Sequence, residues 1–303
     1  MCGRNLVAIA DLSPDSISEL LDSAEFLKRN GPDQSLSGKV LTTIFEKPSL
    51  RTKASLEIGV QLLGGHVVAF DAHEVQIGER EPIEDVARVV SRMADAIALR
   101  VFSHQTILSA CDASDIPILN ALSDLEHPCQ ALADLFTLKE KFGSLRGINI
   151  AFVGDGYNVA RSLGYASVMS GMHIKIASPA GYELDPNDIK LANSLPGGGT
   201  VLQLTDPYEA VRDVAAVYTD VWASMGQEDE MALRAEAFSS YQVNSKLMSA
   251  APQDALVMHD LPAHHGEEIT RDIFEGPNSI IFDQAENRLF TTQAALKYML
   301  NAS

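Results

Sequence analysis

The feature that most constrains this chain is a run of short apolar segments rich in β-branched residues, set apart by stretches of helical periodicity. VLTTIF at 40–45, HVVAF at 66–70, AIALRV at 96–101 and IPIL at 116–119 form a first series. INIAFVG at 148–154, HIKIAS at 173–178, TVLQL at 200–204, AAVYT at 215–219 and ALVM at 255–258 form a second. Strands that are nearly all apolar must be covered on both faces, and helices between them make the connections of parallel sheets. The expected class is therefore α/β, with two domains, each a parallel sheet with helices on both faces, joined by interdomain helices. The 303 residues suit two domains, and 46% hydrophobic content supplies a core for each.

The chain opens with an amphipathic helix. Ser13 and Pro14 read as N-cap and first helical position, Ile17, Leu20, Leu21, Ala24 and Leu27 keep the period, and Asn30-Gly31 supplies the stop. The domain boundary is placed in the helix that begins near Pro128 and runs to about Phe142. A long helix is expected from Ala285 to about Leu300.

Bulk charge excludes several function classes. Lys and Arg number 23 against 41 Asp and Glu, a formal charge of −18, so nucleic acid and anionic membranes are repelled and any positively charged chemistry must be local. Cys2, Cys111 and Cys129 show no metal-ligand spacing, and so sparse a set fits a reducing cytoplasm. No apolar run approaches the roughly 20 residues needed to cross a bilayer, and the first residues hold no signal-like apolar core. A soluble, cytoplasmic protein is expected.

In open parallel sheets the ligand crevice lies beyond the carboxyl ends of the strands, so polar residues that follow apolar runs come first. F-E-K-P-S-L-R-T at 45–52 leaves a strand and enters a helix. Free backbone N–H groups, the hydroxyls of Ser49 and Thr52 and the fork of Arg51 suit a phosphate. A lone S-x-R-T is more often a capped helix with a surface ion pair. H-P-C-Q at 127–130 starts a helix at Pro128 and presents His127 and Gln130, two groups able to hydrogen-bond a carbonyl. In V-G-D-G-Y-N at 153–158 the spacing departs from a dinucleotide loop, and Asn158 is either a cap or a ligand contact. D-V-W-A-S-M-G at 220–226 joins a strand-end carboxylate, Asp220, to a loop with Ser224, Met225 and the only tryptophan. H-D-L-P-A-H-H-G-E-E at 259–268 is rich in metal-ligand types, but its HxxxHH lies in a Pro- and Gly-containing loop and lacks helical ligand geometry. No metal and no cofactor is expected. Arg288, in D-Q-A-E-N-R at 283–288, stands near the start of the last helix, where a salt bridge is the plain alternative.

Taken together, S-L-R-T at 49–52, Arg100, H-P-C-Q at 127–130, D-V-W-x-S-M-G at 220–226, H-x-L-P at 259–262 and E-N-R at 286–288 resemble the ornithine carbamoyltransferases in order and spacing, from about residue 5 to 300. The resemblance implies a carbamoyl phosphate-binding domain over 1–127, an ornithine-binding domain over 128–283, and a terminal helix over 284–303 that returns to the first domain. It implies transfer of a carbamoyl group to the δ-amine of L-ornithine. Ser49, Leu50 through its backbone, Arg51, Thr52, Gln76, Arg100, His127, Gln130, Asp260, Leu261 and Arg288 are implied for carbamoyl phosphate. Gln76 is implied to act in an adjacent subunit of a homotrimer or a multiple of trimers. Asn158, Asp220, Ser224 and Met225 are implied for ornithine. Thr52, Arg100, His127 and Asp260 are implied to act on the reacting groups.

Asp260 stands where that family has Cys, Tyr157 where it usually has Asn, and Leu50 where Thr is common. A carboxylate at 260 favours a protonated, non-nucleophilic amine unless it serves as a base. The competing readings are a carbamoyltransferase for putrescine or an N-acylated ornithine, and a non-catalytic paralogue that binds carbamoyl phosphate or phosphate.

Overall fold

The structure is a computed structural model and describes residues 4–223 and 228–300. It divides into two compact units, Met1–Phe136 with Asn287–Ser303, and Thr137–Glu286. The division falls inside one helix, Pro128–Phe142, and again inside the last one.

In the first unit, strands β1 (Val40–Phe45), β2 (His66–Asp71), β3 (Ala96–Arg100) and β4 (Ile118–Leu122) pair in parallel in the order β2-β1-β3-β4. Helix α1 (Pro14–Asn30) begins as its sequence demands: the Ser16 N–H donates to Ser13 Oγ at 3.1 Å, and Gly31 closes the helix with φ 82°. Helices α2 (Arg51–Leu62), α3 (Ile83–Val90) and α4 (His104–Ala113) connect the strands. One core face gathers Ile44, Val86, Ile97, Leu99, Ile107 and Ile118.

One strand departs from the both-faces-covered expectation. Four of the six residues of β2 are exposed, Val68 to 44%, because β2 is the sheet edge. Ile58 and Leu62 of α2, which packs on β2, are exposed as well. Strand β4 lies later than IPIL suggested, at Ile118–Leu122.

The second unit continues α5 (Pro128–Phe142) into β5 (Asn149–Val153), α6 (Asn158–Met169), β6 (His173–Ala177), α7 (Pro186–Ser194), β7 (Thr200–Leu204), β8 (Ala216–Thr219), α8 (Met231–Phe238), β9 (Leu256–His259) and the start of α9 (Ile281–Leu300). The strands are parallel in the order β7-β6-β5-β8-β9. Its core centres on Val153, Val217, Trp222, Phe238, Val257 and Ile281. Helix α9 starts four residues before the expected Ala285, and its first turns bury Ile281 and the polar Gln284 completely. No helix among the described residues is long and apolar enough to cross a membrane.

Candidate active site

In the first unit all strands are parallel and the strand order switches between β1 and β3, which puts the residues after β1 and Arg100 at the strand ends where ligands of such sheets bind. Helix α2 starts at Arg51 with no side-chain cap from Leu50, but Ser49 Oγ accepts the Thr52 N–H at 3.3 Å. Leu50 is 77% exposed, so its side chain takes no part in a core, while Thr52 is buried. Glu46 fixes the neighbouring strand end: its N–H donates to the Arg100 carbonyl at 2.8 Å and its carboxylate accepts the Phe102 N–H at 2.9 Å.

His127 is delivered by a tight turn. The Ser123 N–H donates to Glu126 O at 3.0 Å, and the Glu126 N–H donates back to Ser123 Oγ at 3.2 Å. The fully buried Asn120 donates to Val7 O at 2.9 Å and holds the turn to the sheet. Pro128 then opens α5 with His127 and Gln130 inward, both buried. Burial, and after it the charges of Arg288, Arg100 and Arg51, push the His127 imidazole well below its ordinary pKa. The ring is therefore neutral at physiological pH and keeps one N–H to donate.

Arg288 completes this group from α9. Its guanidinium donates to Thr52 Oγ1 at 2.9 Å and to Gln130 Oε1. Gln130 is oriented in turn by Asp134, one helical turn on, whose Oδ1 accepts the Gln130 Nε2 hydrogen at 2.8 Å. Beside Arg288, Asn287 Oδ1 accepts from Lys28 Nζ at 2.7 Å, and that ammonium lies over the rings of Phe136 and Phe290. The alternative of a plain salt bridge for Arg288 thus gives way to a buried relay, Asp134 to Gln130 to Arg288 to Thr52. Gln76 is exposed in the left-handed region, φ 52°, at the end of the 72–75 helix, and its carbonyl accepts from Glu79 and Arg80 N–H.

The second unit builds a separate group. Its switch point lies between β5 and β8, and Asp155, Asn158 and Asp220 follow those strands. Asn158 is the first residue of α6, buried, and its Oδ1 accepts the Val159 N–H at 2.9 Å. Strands β8 and β9 pair Thr219 with His259, so Asp220 and Asp260 leave adjacent parallel strands side by side. Burial first, then the neighbouring Asp260 carboxylate, push Asp220 well above the ordinary carboxylate range, against the pull of the Val221 N–H. Ser224 and Met225 lie outside the described residues.

Behind this pair His259 is fully buried. Its Nδ1 accepts the Leu261 N–H at 2.8 Å and its Nε2 lies 3.0 Å from Glu268 Oε1, which also accepts the His264 N–H at 2.6 Å. In the neutral ring the proton therefore sits on Nε2. Burial opposes a charged imidazole, but the Asp260 and Glu268 carboxylates outweigh it and raise the His259 pKa. Leu261 itself has φ 63° and is followed by a cis peptide to Pro262.

Donor atoms of Asp220, His259 and Asp260 lie within 4.8 Å of one another, as do those of His264, Glu267 and Glu268. Neither group suits a metal ion. Both nitrogens of His259 are engaged, and Glu268 already accepts from His259 and a backbone N–H.

Sequence reasoning missed Arg234. This buried side chain on α8 donates to Asp155 Oδ2 at 2.6 Å, to Glu230 at 2.9 Å and to the Trp222 carbonyl at 2.9 Å, tying the loop after β8 to the end of β5. Burial still leaves Asp155 above its ordinary range despite Arg234. Its only local signal is the Glu230 spacing, which any surface helix shows.

Residues 4–140 match the carbamoyl-P binding domain of the aspartate/ornithine carbamoyltransferase family, and residues 146–299 match its Asp/Orn binding domain. The chain is similar to an ornithine carbamoyltransferase of Acidothermus cellulolyticus, 47% identical over 99% of this chain and 97% of that protein. The solved ornithine carbamoyltransferase of Pyrococcus furiosus superposes with a TM-score of 0.95 at 43% identity, covering 99% of this chain and 98% of the other. That of Thermus thermophilus gives 0.90 at 44% identity and 98% of each chain.

Proposed function

The chain belongs to the aspartate/ornithine carbamoyltransferase family, and from that premise we propose how its residues carry out the reaction. It is a carbamoyltransferase that moves the carbamoyl group of carbamoyl phosphate to the δ-amine of L-ornithine, giving citrulline and phosphate. The observation that carries the residue assignment is His127: a buried, neutral imidazole under the charges of Arg51, Arg100 and Arg288. Such a group is a hydrogen-bond donor beside a site for a dianion, in a protein whose net charge is −18.

The phosphate is held by Ser49, the Leu50 and Arg51 backbone, the Arg51 and Arg100 guanidiniums and Thr52. Gln130 and Arg288 complete the shell, and Asp260 and Leu261 border the carbamoyl group. The neutral amine attacks the carbamoyl carbon, an oxyanion forms, and phosphate leaves with one of the two amine protons. Thr52, Arg100 and His127 donate to that oxyanion, each worth on the order of 10²–10³ in rate. Alignment of the two substrates supplies a further large part of the acceleration. Asp220 takes an ammonium group of ornithine, and Asn158, Ser224 and Met225 fix the rest of the amino acid.

The protein works as a homotrimer or a multiple of trimers in the cytoplasm. The exposed apolar edge at Val68, Ile58 and Leu62 supports a subunit contact, and the exposed Gln76 supports a residue offered to a neighbour. The test is citrulline release from carbamoyl phosphate with ornithine, set beside putrescine and N-acetylornithine. Turnover of another amine with none of ornithine overturns the assignment.

A further inference from the structure

We infer that Asp260, coupled to Asp220, is a catalytic base that takes the proton from the δ-ammonium of ornithine. This rests on the reading of the second unit as the ornithine site. Register carries the geometry. Thr219 pairs with His259, so the next residue of each strand presents a carboxylate at the same level of the sheet, and their donor atoms lie within 4.8 Å. Both side chains are shielded, with only 11% of the Asp260 side chain exposed.

The titratable groups around Asp260 are Asp220 from the end of β8 and His259 from its own strand, and Glu268 from the loop beyond acts in turn on both of these. Asp260 Oδ1 lies 3.4 Å from His259 Nδ1, which is occupied by the Leu261 N–H, so the imidazole does not take the role of base. A second carboxylate this close disfavours the ionised form of Asp220, which takes up a proton more readily. Raising of Asp220 by burial and by Asp260 agrees with that arrangement.

An ornithine ammonium entering the pair replaces the proton held by Asp220 as its positive partner, and that proton leaves to solvent. The Asp260 side chain then faces the δ-ammonium. An N–H bond of the ammonium breaks, an O–H bond forms on Asp260, and the freed electron pair on nitrogen attacks the carbamoyl carbon. When the carbon–oxygen bond to phosphate breaks, the second amine proton goes to the leaving phosphate. Asp260 returns its proton to solvent. One ammonium and carbamoyl phosphate thus give citrulline, hydrogen phosphate and one proton, with charge balanced.

The experiment is the pH dependence of kcat/KM for ornithine at saturating carbamoyl phosphate, from pH 6 to 10, for wild type and Asp260→Asn. With Asp260 as base, the reactive form is ionised enzyme with protonated amine, and the wild-type profile is flat over the neutral range. Without it the free amine must bind, so the Asp260→Asn rate rises about tenfold per pH unit toward the amine pKa, near 10 for such an amine. The deficit is therefore greatest at pH 6 and vanishes near pH 10. Norvaline, which lacks the δ-amine, raises the Tm of a correctly folded variant and certifies its pocket. If Asp260→Asn fails that control, Asp260→Ala is read in its place, with formate expected to restore the flat profile. Parallel profiles, with the same fold-loss at every pH, overturn the inference while leaving the transferase reading intact. A wild type that makes no citrulline at any pH overturns both.

Discussion

Replacing Arg288 by Met keeps most of the side-chain stem and removes every donor. In the structure this guanidinium makes two bonds, to Thr52 Oγ1 at 2.9 Å and to Gln130 Oε1, and no part of it faces open solvent. A hydrogen bond to a charged group is worth about 1.5–3 kcal/mol. With about 1.4 kcal/mol per factor of ten, loss of one such contact to carbamoyl phosphate raises its KM about 10- to 150-fold. Stability moves less than the two lost bonds suggest. The orphaned acceptors on Thr52 and Gln130 cost about 1–3 kcal/mol each, but one of three like charges around His127 disappears. Inorganic phosphate reads the same site without turnover. At a concentration of 100 times the wild-type Kd it stabilises wild type by about 2.7 kcal/mol. A 10- to 150-fold weaker Kd leaves about 0.3–1.4 kcal/mol for Arg288→Met at that concentration. Calorimetric unfolding with and without phosphate, beside initial rates against carbamoyl phosphate, checks both numbers. An Arg288→Met variant that folds, keeps the wild-type KM and keeps the full response to phosphate refutes the reasoning.

His127 has a folded-state pKa below its ordinary value of 6.5, so the unfolded chain binds the proton first. Its contribution to stability is complete above about pH 6.5 and declines on acidification; Tm should fall more between pH 7.5 and 5.5 in wild type than in His127→Gln. Arg234→Met leaves Asp155 buried without its cation and should cost about 3–5 kcal/mol, while the loosened Trp222 carbonyl raises KM for ornithine and not for carbamoyl phosphate; equal changes in both KM values refute the positioning role. A Cβ at Gly156 falls 2.2 Å from the Leu184 backbone nitrogen, so Gly156→Ala should lose about 3 kcal/mol or more by denaturant unfolding. Val68→Lys on the exposed edge strand should shift the mass measured in solution from a multiple of three chains toward one; an unchanged mass removes β2 from the subunit contact.

Much of this molecule was legible from local pattern because local physics sets it. The stop of α1 at Gly31 follows from a backbone conformation that glycine tolerates, and its start at Ser13-Pro14 from an orphan N–H and a fixed φ. The limits of β1 and β7 coincide with their apolar runs. Motif order identified the family, and the resemblance pointed to His127 and to Arg51, Arg100 and Arg288, whose charges the fold gathers around it. Pattern failed where burial contradicts polarity or where exposure contradicts apolarity. Gln284 falls before the expected start of the last helix and is buried inside it; HVVAF reads as core and is an exposed edge.

What only the tertiary structure decided is pairing. Thr52 and Arg288 meet across 236 positions, and Asp155 and Arg234 across 79. Asp220 and Asp260 become neighbours only because β8 and β9 lie side by side in one register. Sequence specifies which side chains a chain carries and which local backbone they favour. The charge state of a carboxylate or imidazole depends on what the fold removes from water and sets beside it, and that is a property of strand order and helix packing, not of spacing along the chain.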